Sequence, residues 1–311
     1  MILSEQSLHS EILRGKVLFT ASKAVRARSQ GAAGWILHAL LTLAVTLLMT
    51  GCTDLFFYPD RAKYRDPSAL DLKFEEVELP SEGGKRLFGW DIQPVGNNLG
   101  TVLFLHGNAG NISTHLPTPY YLASAGYRVL TFDYAGYGGS SGRSDIYQLH
   151  DDVEIFFDYI QRVEPHQSRR ILFGQSLGAS LGLTVASAPQ AANLFCAIVA
   201  DSPFAGYRSI VRDKLKDLWI PRPLAWILSL AVLDRYSPER VLSQGFPTPV
   251  LFYHFTDDKI VPAQHSRQLC ERVSSRCTLV IERGIGHSAS LVSAESRHLI
   301  FAWMGKQCGR T

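Results

Sequence analysis

The sequence predicts an α/β fold: a mainly parallel, eight-stranded sheet flanked by helices, with a short helical insertion as a cap. Three observations predict it. Short continuous apolar runs alternate with helix-length segments from Thr101 onwards, which is how strands buried on both faces read. An alternating two-strand hairpin precedes them. A Gly-x-Ser-x-Gly turn stands between one strand run and an Ala/Leu/Gly-rich helix. With 46% apolar and 19% charged residues, the 311-residue chain can bury one substantial core. A net charge of +3, with no Lys/Arg-rich block in the body of the chain, points to no nucleic-acid partner.

The N-terminal stretch reads as an address. Arg14, Lys16, Lys23, Arg26 and Arg28 precede an apolar run from Trp35 to Met49. A basic flank, such a run and a small-residue end describe a secretory signal, and the run is short for a spanning helix of about 20 residues. Its end, Leu48-Met49-Thr50-Gly51-Cys52, resembles the lipobox of bacterial lipoproteins. The resemblance implies cleavage before Cys52 and a diacylglyceryl group on its thiol. The protein would then sit on a membrane of the bacterial cell envelope, facing the periplasm. An uncleaved anchor and a cleaved soluble protein are the alternatives. On this reading residues 1–51 target the chain, 52–70 form a linker after the lipidated cysteine, and 71–305 form the folded domain.

Within that domain Lys73–Leu79 and Leu87–Ile92 pair as a hairpin about Ser81-Glu82-Gly83-Gly84. Val102–Leu105, Arg128–Phe132, Ile171–Phe173, Ala197–Ala200, Val250–Tyr253 and Leu279–Ile281 are the parallel strands. Helices fit Thr114–Ser124, Ile146–Val163, Leu177–Ser187, Pro262–Val273 and Ser290–Met304. Residues 204–246 lack strand character and carry the apolar run Leu224–Leu233, too short to cross a bilayer, which reads as a buried or cap helix. Its Trp219 and Trp226 suit an acyl groove or a lipid-touching surface, with ordinary core packing as the alternative. Of the five cysteines, Cys52, Cys196, Cys270, Cys277 and Cys308, none forms a C-x-x-C pair. Cys196, in a strand run, reads as an inert buried thiol, and Cys270 and Cys277 are able to pair only in an oxidising compartment.

Gly174-Gln175-Ser176-Leu177-Gly178 directly follows the strand Ile171–Phe173 and directly precedes a helix. That turn exposes the serine oxygen beside a helix N-terminus, whose free N–H groups favour developing negative charge. His106-Gly107-Asn108-Ala109-Gly110 follows Val102–Leu105, and there His106 reads as a shaper of its loop. Two candidate acids, Asp257 and Asp258, stand on the turn after Val250–Tyr253, while Asp201 reads as a support for its neighbouring loop. Gly284-Ile285-Gly286-His287-Ser288 gives a glycine-flanked loop from which an imidazole can reach Ser176. His115, His150, His166, His254, His265 and His298 lack that placement and read as ordinary surface, strand or helix residues.

Ser176, an acid and His287 in that chain order resemble the α/β-hydrolase superfamily, especially a small-capped branch with His-Gly-Asn-Ala and Phe-Asp-Tyr-x-Gly-Tyr-Gly signatures. His106-Gly107-Asn108-Ala109 and Phe132-Asp133-Tyr134-Ala135-Gly136-Tyr137-Gly138 carry the likeness, with Ala135 where arginine is frequent. It spans about residues 70–305 and reaches serine aminopeptidase-like hydrolases and protein depalmitoylases. The resemblance implies the α/β-hydrolase fold and a Ser176–His287–Asp258 triad, Asp258 being chosen because Asp-x-x-Val-Pro ends this turn in the family. It also implies an oxyanion hole from the N–H groups of Leu177 and Asn108, a structural Asp133, and no metal or cofactor.

The expected activity is therefore cleavage of a small acyl ester or thioester through an acyl-enzyme. An amidase or aminopeptidase uses the same triad. A non-catalytic, membrane-anchored binding protein is the alternative from another class, and it would be expected to lack a triad member.

Overall fold

The computed structural model describes residues 34–35, 56–243, 245–284 and 286–309. The chain divides into two compact units, Met1–Cys52 and Thr53–Thr311. In the first, only the helical pair Gly34 and Trp35 is described, so the signal segment and Cys52 lie outside the described residues.

The second unit runs β1 (Tyr58–Pro59), β2 (Phe74–Ser81), β3 (Lys85–Ile92), β4 (Gly100–Leu105), β5 (Ala109–Gly110), α1 (Pro117–Ser124), β6 (Tyr127–Phe132) and α2 (Ile146–Val163). It continues through β7 (Arg170–Gln175), α3 (Leu177–Ala186), β8 (Ala197–Asp201), α4 (Tyr207–Asp217), α5 (Arg222–Ser229), α6 (Pro238–Val241), β9 (Val250–Phe255), α7 (Gln264–Val273), β10 (Cys277–Glu282) and α8 (Ala294–Gln307).

Eight strands form one sheet in the order β10-β9-β8-β7-β4-β6-β3-β2. β3 pairs antiparallel with both β2 and β6, and every other pair is parallel. This is the α/β-hydrolase fold predicted. The central strands β4, β7 and β8 are buried along their whole lengths, which is why they read as unbroken apolar runs. Each sheet face carries its own core. Phe132 stacks on Phe156 of α2 at 4.7 Å on one side, and Phe104 meets Phe173 at 6.2 Å on the other. Each such fully buried side chain contributes about 1.5–3 kcal/mol.

Helix starts follow local chemistry. Asp145 caps α2 by accepting from the Gln148 N–H. α1 begins at Pro117, later than expected, because proline suits the first helical position. α8 begins at Ala294, not Ser290, because Ser293 is the residue that caps it.

Three expectations need correction. The stretch expected as a linker is packed from Phe56 on: β1 pairs with β5, and Asn111 Nδ2 donates to the carbonyls of Asp60 and Ala62 at 2.8 Å each. The described residues of the insertion hold three helices, α4, α5 and the one-turn α6, rather than one. His265 ties α4 down, with its Nε2 3.0 Å from Asp213 Oδ2 and its Nδ1 accepting from the Ala205 N–H at 3.0 Å. Cys196 is not a free thiol. It is joined to Cys308 across 112 residues, and Cys270 is joined to Cys277.

Candidate active site

The cavity over the C-terminal ends of β4, β7 and β9 is built on backbone first. Ser176 sits between β7 and α3 with φ 50° and ψ −111°, a left-handed conformation that costs a non-glycine residue about 1–3 kcal/mol. The turn is held by the Ser176 N–H donating to the Asp201 carbonyl at 2.8 Å. A Cβ at Gly174 would collide with the backbone of Ala179, and one at Gly178 with the carbonyls of Leu105 and His106. Glycine two before and two after the serine is thus a steric requirement of this packing.

Ser176, Leu177, Asn108 and His287 all line one cavity of about 940 Å³. Leu177 opens α3, so its N–H has no acceptor within the helix. The Asn108 side chain faces away from chemistry: its Oδ1 accepts from Tyr137 Oη at 2.9 Å, and its Nδ2 donates to the Phe56 carbonyl at 2.6 Å. Those bonds fix the loop that carries Asn108 at the cavity wall.

His287 Nδ1 donates to Asp258 Oδ2 at 2.7 Å, which leaves Nε2 with its lone pair free to take a proton. The histidine loop is lashed to the serine turn. Gln175 Nε2 donates to the Ser288 carbonyl at 2.7 Å, and the Ser288 N–H donates to Ser202 Oγ at 3.1 Å. Asp201 accepts from the Ser290 hydroxyl at 2.7 Å and from the Ser290 N–H at 3.2 Å, so its carboxyl is tied to the loop that follows His287.

Asp258 Oδ1 accepts the N–H groups of Ile260 and Val261 at 2.8 and 2.9 Å, the local turn that its Asp-x-x-Val-Pro spacing makes. Asp257 is exposed and its N–H goes to the Gly284 carbonyl at 3.1 Å, so geometry separates the two neighbours that sequence left open. Burial works to raise the Asp258 pKa, but hydrogen bonds from His254 and His287, with the Val261 N–H, outweigh it. The carboxyl is held well below its ordinary range.

His254 is what sequence reasoning missed. Its fully buried Nε2 faces two acceptors, the Val261 carbonyl at 2.8 Å and Asp258 Oδ2 at 3.2 Å, so it carries the proton. Nδ1 meets Ser266 Oγ of α7 at 2.7 Å. Asp258 therefore stands between two imidazoles. The signal was present as a histidine at the end of a strand, four residues before the acid, but only the fold turns that spacing into contact.

The remaining histidines divide. His106 is wholly buried, donates from Nδ1 to the Gly107 carbonyl at 2.8 Å, and is pushed far down by burial and by His115 nearby. It shapes the loop and does not reach the cavity. His150, expected at a surface, is buried and stacked on Tyr236, its pKa pushed down to about 3 by burial. His115, also expected at a surface, lines the cavity, and its Nε2 meets the Ala109 carbonyl at 2.9 Å. Among the described residues no group of three or more His, Cys, Asp or Glu is placed to hold a metal ion.

Comparison with known proteins agrees with this architecture. Residues 96–246 match the family model described as serine aminopeptidase, S33. The YfhR protein of Escherichia coli (strain K12) is 32% identical over 243 residues, covering 75% of this chain and 80% of its own. The α/β-hydrolase domain-containing protein WAV2 of Arabidopsis thaliana is 28% identical over 238 residues, covering 69% of this chain and 72% of its own. The Pyrococcus furiosus esterase Pf2001 shares the fold with a TM-score of 0.66 at 20% identity, over 81% of this chain and 97% of its own.

Proposed function

We propose that this chain, which belongs to one family with YfhR of Escherichia coli, has the α/β-hydrolase fold and matches the serine aminopeptidase, S33, model over residues 96–246, is a serine hydrolase of acyl esters or thioesters. The observation that carries the reading is the 2.7 Å bond between His287 and Asp258, on a loop lashed to the strained turn that bears Ser176.

In this reading Ser176 Oγ attacks the acyl carbonyl carbon while its proton passes to His287 Nε2. Asp258 keeps Nδ1 protonated and stabilises the imidazolium. The N–H groups of Leu177 and Asn108 receive the oxyanion, a contribution of about 3–4 kcal/mol per donor in such sites. His287 returns its proton to the leaving alcohol or thiol, and water then frees the acyl group by the same route.

The apolar cavity wall supports ester over aminopeptide. A free α-amino group calls for an acidic partner, and the one acid on the described wall, Asp217, is already paired with Lys214 at 3.6 Å. The N-terminal signal pattern and the two disulfides support an oxidising location in the cell envelope, with anchoring through Cys52.

A fluorophosphonate probe tests the hydrolase. Wild type is expected to label and Ser176→Ala to show no labelling; an unlabelled, folded wild type returns the chain to the binding-protein reading. Turnover of p-nitrophenyl esters above aminoacyl anilides is expected, and the reverse order makes it a peptidase.

A further inference from the structure

The cap turns its apolar side outward. In α5 the residues facing the protein are Ala225 and Ser229, both small, while Leu224, Trp226 and Ile227 are exposed, as is Leu230 at its C-terminal cap. A core-seeking helix shows the opposite pattern. At the α4–α5 turn Leu218 is 69% exposed and Trp219 93% exposed. Trp219 also adopts φ 61°, a left-handed conformation that a bulky residue avoids, while its side chain stays almost wholly exposed among the described residues. So many large apolar side chains in one place exceed the scattered exposure of an ordinary surface.

This patch is continuous with the cavity mouth. Leu218 and Ile260, both exposed, are also cavity wall, as is Phe56, where the described domain begins. Residues 207–230 carry five cations, Arg208, Arg212, Lys214, Lys216 and Arg222, against two acids, Asp213 and Asp217. Tryptophan beside lysine and arginine is the chemistry of a headgroup interface. Only seven residue steps separate Met49, where the apolar run of the sequence ends, from Phe56 on the cavity wall. Fully extended, those steps reach about 25 Å.

We propose that the α4–α5 cap docks on an anionic lipid bilayer through Trp219, Trp226 and Ile227, and that the cavity draws its substrate, an ester or thioester of a long acyl chain, from that surface. The substrate assignment rests on the hydrolase reading; the docking does not. An apolar cavity of about 940 Å³ is large enough to bury a chain of that kind. Lipid contact also gives Trp219 the apolar environment that the folded chain denies it.

Hydrogen exchange of the full chain, with and without vesicles of phosphatidylglycerol and phosphatidylcholine, reads the cap separately from the N-terminus. Amides of 216–230 are expected to gain about tenfold protection on vesicles. No change there, even with the protein vesicle-bound, overturns the proposal, and so does equal protection in concentrated protein without lipid, which assigns the face to a second copy.

The double variant Trp219→Ser/Ile227→Ser alters residues outside the cavity wall. It is expected to lose that protection and to hydrolyse a long-chain ester in vesicles at least about tenfold more slowly, with p-nitrophenyl butyrate turnover in solution unchanged. Undiminished vesicle turnover overturns the docking. If wild type leaves butyrate intact while the cap is protected, the hydrolase reading fails and the docking stands.

Discussion

Asp258 and Asp133 are both buried, at 8% and 1% exposure, and each accepts two backbone N–H bonds. Their pKa values move in opposite directions. Asp258 is held well below the ordinary carboxylate range, while burial pushes Asp133 up to about 6 against the N–H groups of Ile112 and Gly139. Two amide donors therefore do not settle the charge of a buried carboxyl here. Asp258 has in addition two imidazoles, His287 at 2.7 Å and His254 at 3.2 Å, and lies less deep. His106 Nε2 stands 3.9 Å from Asp133, too far for a hydrogen bond, and its ring is kept neutral by burial. The contrast separates a carboxylate equipped to stabilise a positive imidazole from one that organises a loop.

Exchanging the two acids for their amides is the strongest way to break that contrast. Asp258→Asn is expected to lower kcat by roughly 10³–10⁴-fold with the fold retained, because the amide no longer fixes the imidazole tautomer. Asp133→Asn is expected to leave kcat within about twofold and to lower Tm by several degrees, since the Gly139 N–H then meets an amide donor instead of Oδ2. Steady-state kinetics and thermal melts on both variants check this, and equal losses of kcat would erase the distinction.

His254 sharpens the comparison from the other side. A lost hydrogen bond to a buried charge is worth about 1.5–3 kcal/mol, so His254→Phe is expected to lower kcat by roughly 10- to 100-fold with KM little changed. His254→Gln, whose Nε2 is able to reach Asp258, is expected to recover most of it. A loss that glutamine does not repair would assign His254 to packing between β9 and α7 alone.

How far the sequence discloses the molecule follows the same line between local and distant causes. The serine turn was legible because Gly174 and Gly178 are demanded by contacts within a few residues of the turn and by one neighbouring strand. The central strands were legible because burial on both faces writes itself as apolar runs, and the β2–β3 hairpin because its residues alternate about a glycine turn. His254 was not, since its meaning depends on the β9 end folding its carboxyl neighbour back and on Ser266 of a later helix. Cys196 was not, since its partner lies 112 residues away. The cap stayed open for a different reason: its apolar run suits a buried helix and a cap helix alike, and only the fold places the large side chains outside and Ala225 and Ser229 inside. Hydrophobicity locates burial only where the chain itself is the partner.

The smallest effect, and one that touches stability rather than turnover, is the pH dependence of unfolding. Asp133 has a folded pKa of about 6 against an ordinary 3.8, so its protonated form favours the folded state. That contribution is complete below about pH 4 and is lost as the pH rises through 6, a tilt on the order of 2–3 kcal/mol. Asp152, raised by burial to about 7, adds a tilt of the same sign. Asp258 works oppositely: its depressed pKa adds stability above pH 4 that disappears as the pH falls further. Urea unfolding between pH 3 and pH 7 is therefore expected to show Asp133→Asn with a shallower decline between pH 4 and 6 than wild type. Asp258→Asn is expected to flatten only the acid end. An unchanged slope in Asp133→Asn would mean that its carboxyl is ionised in the folded protein, and the difference drawn between the two acids would then rest on depth alone.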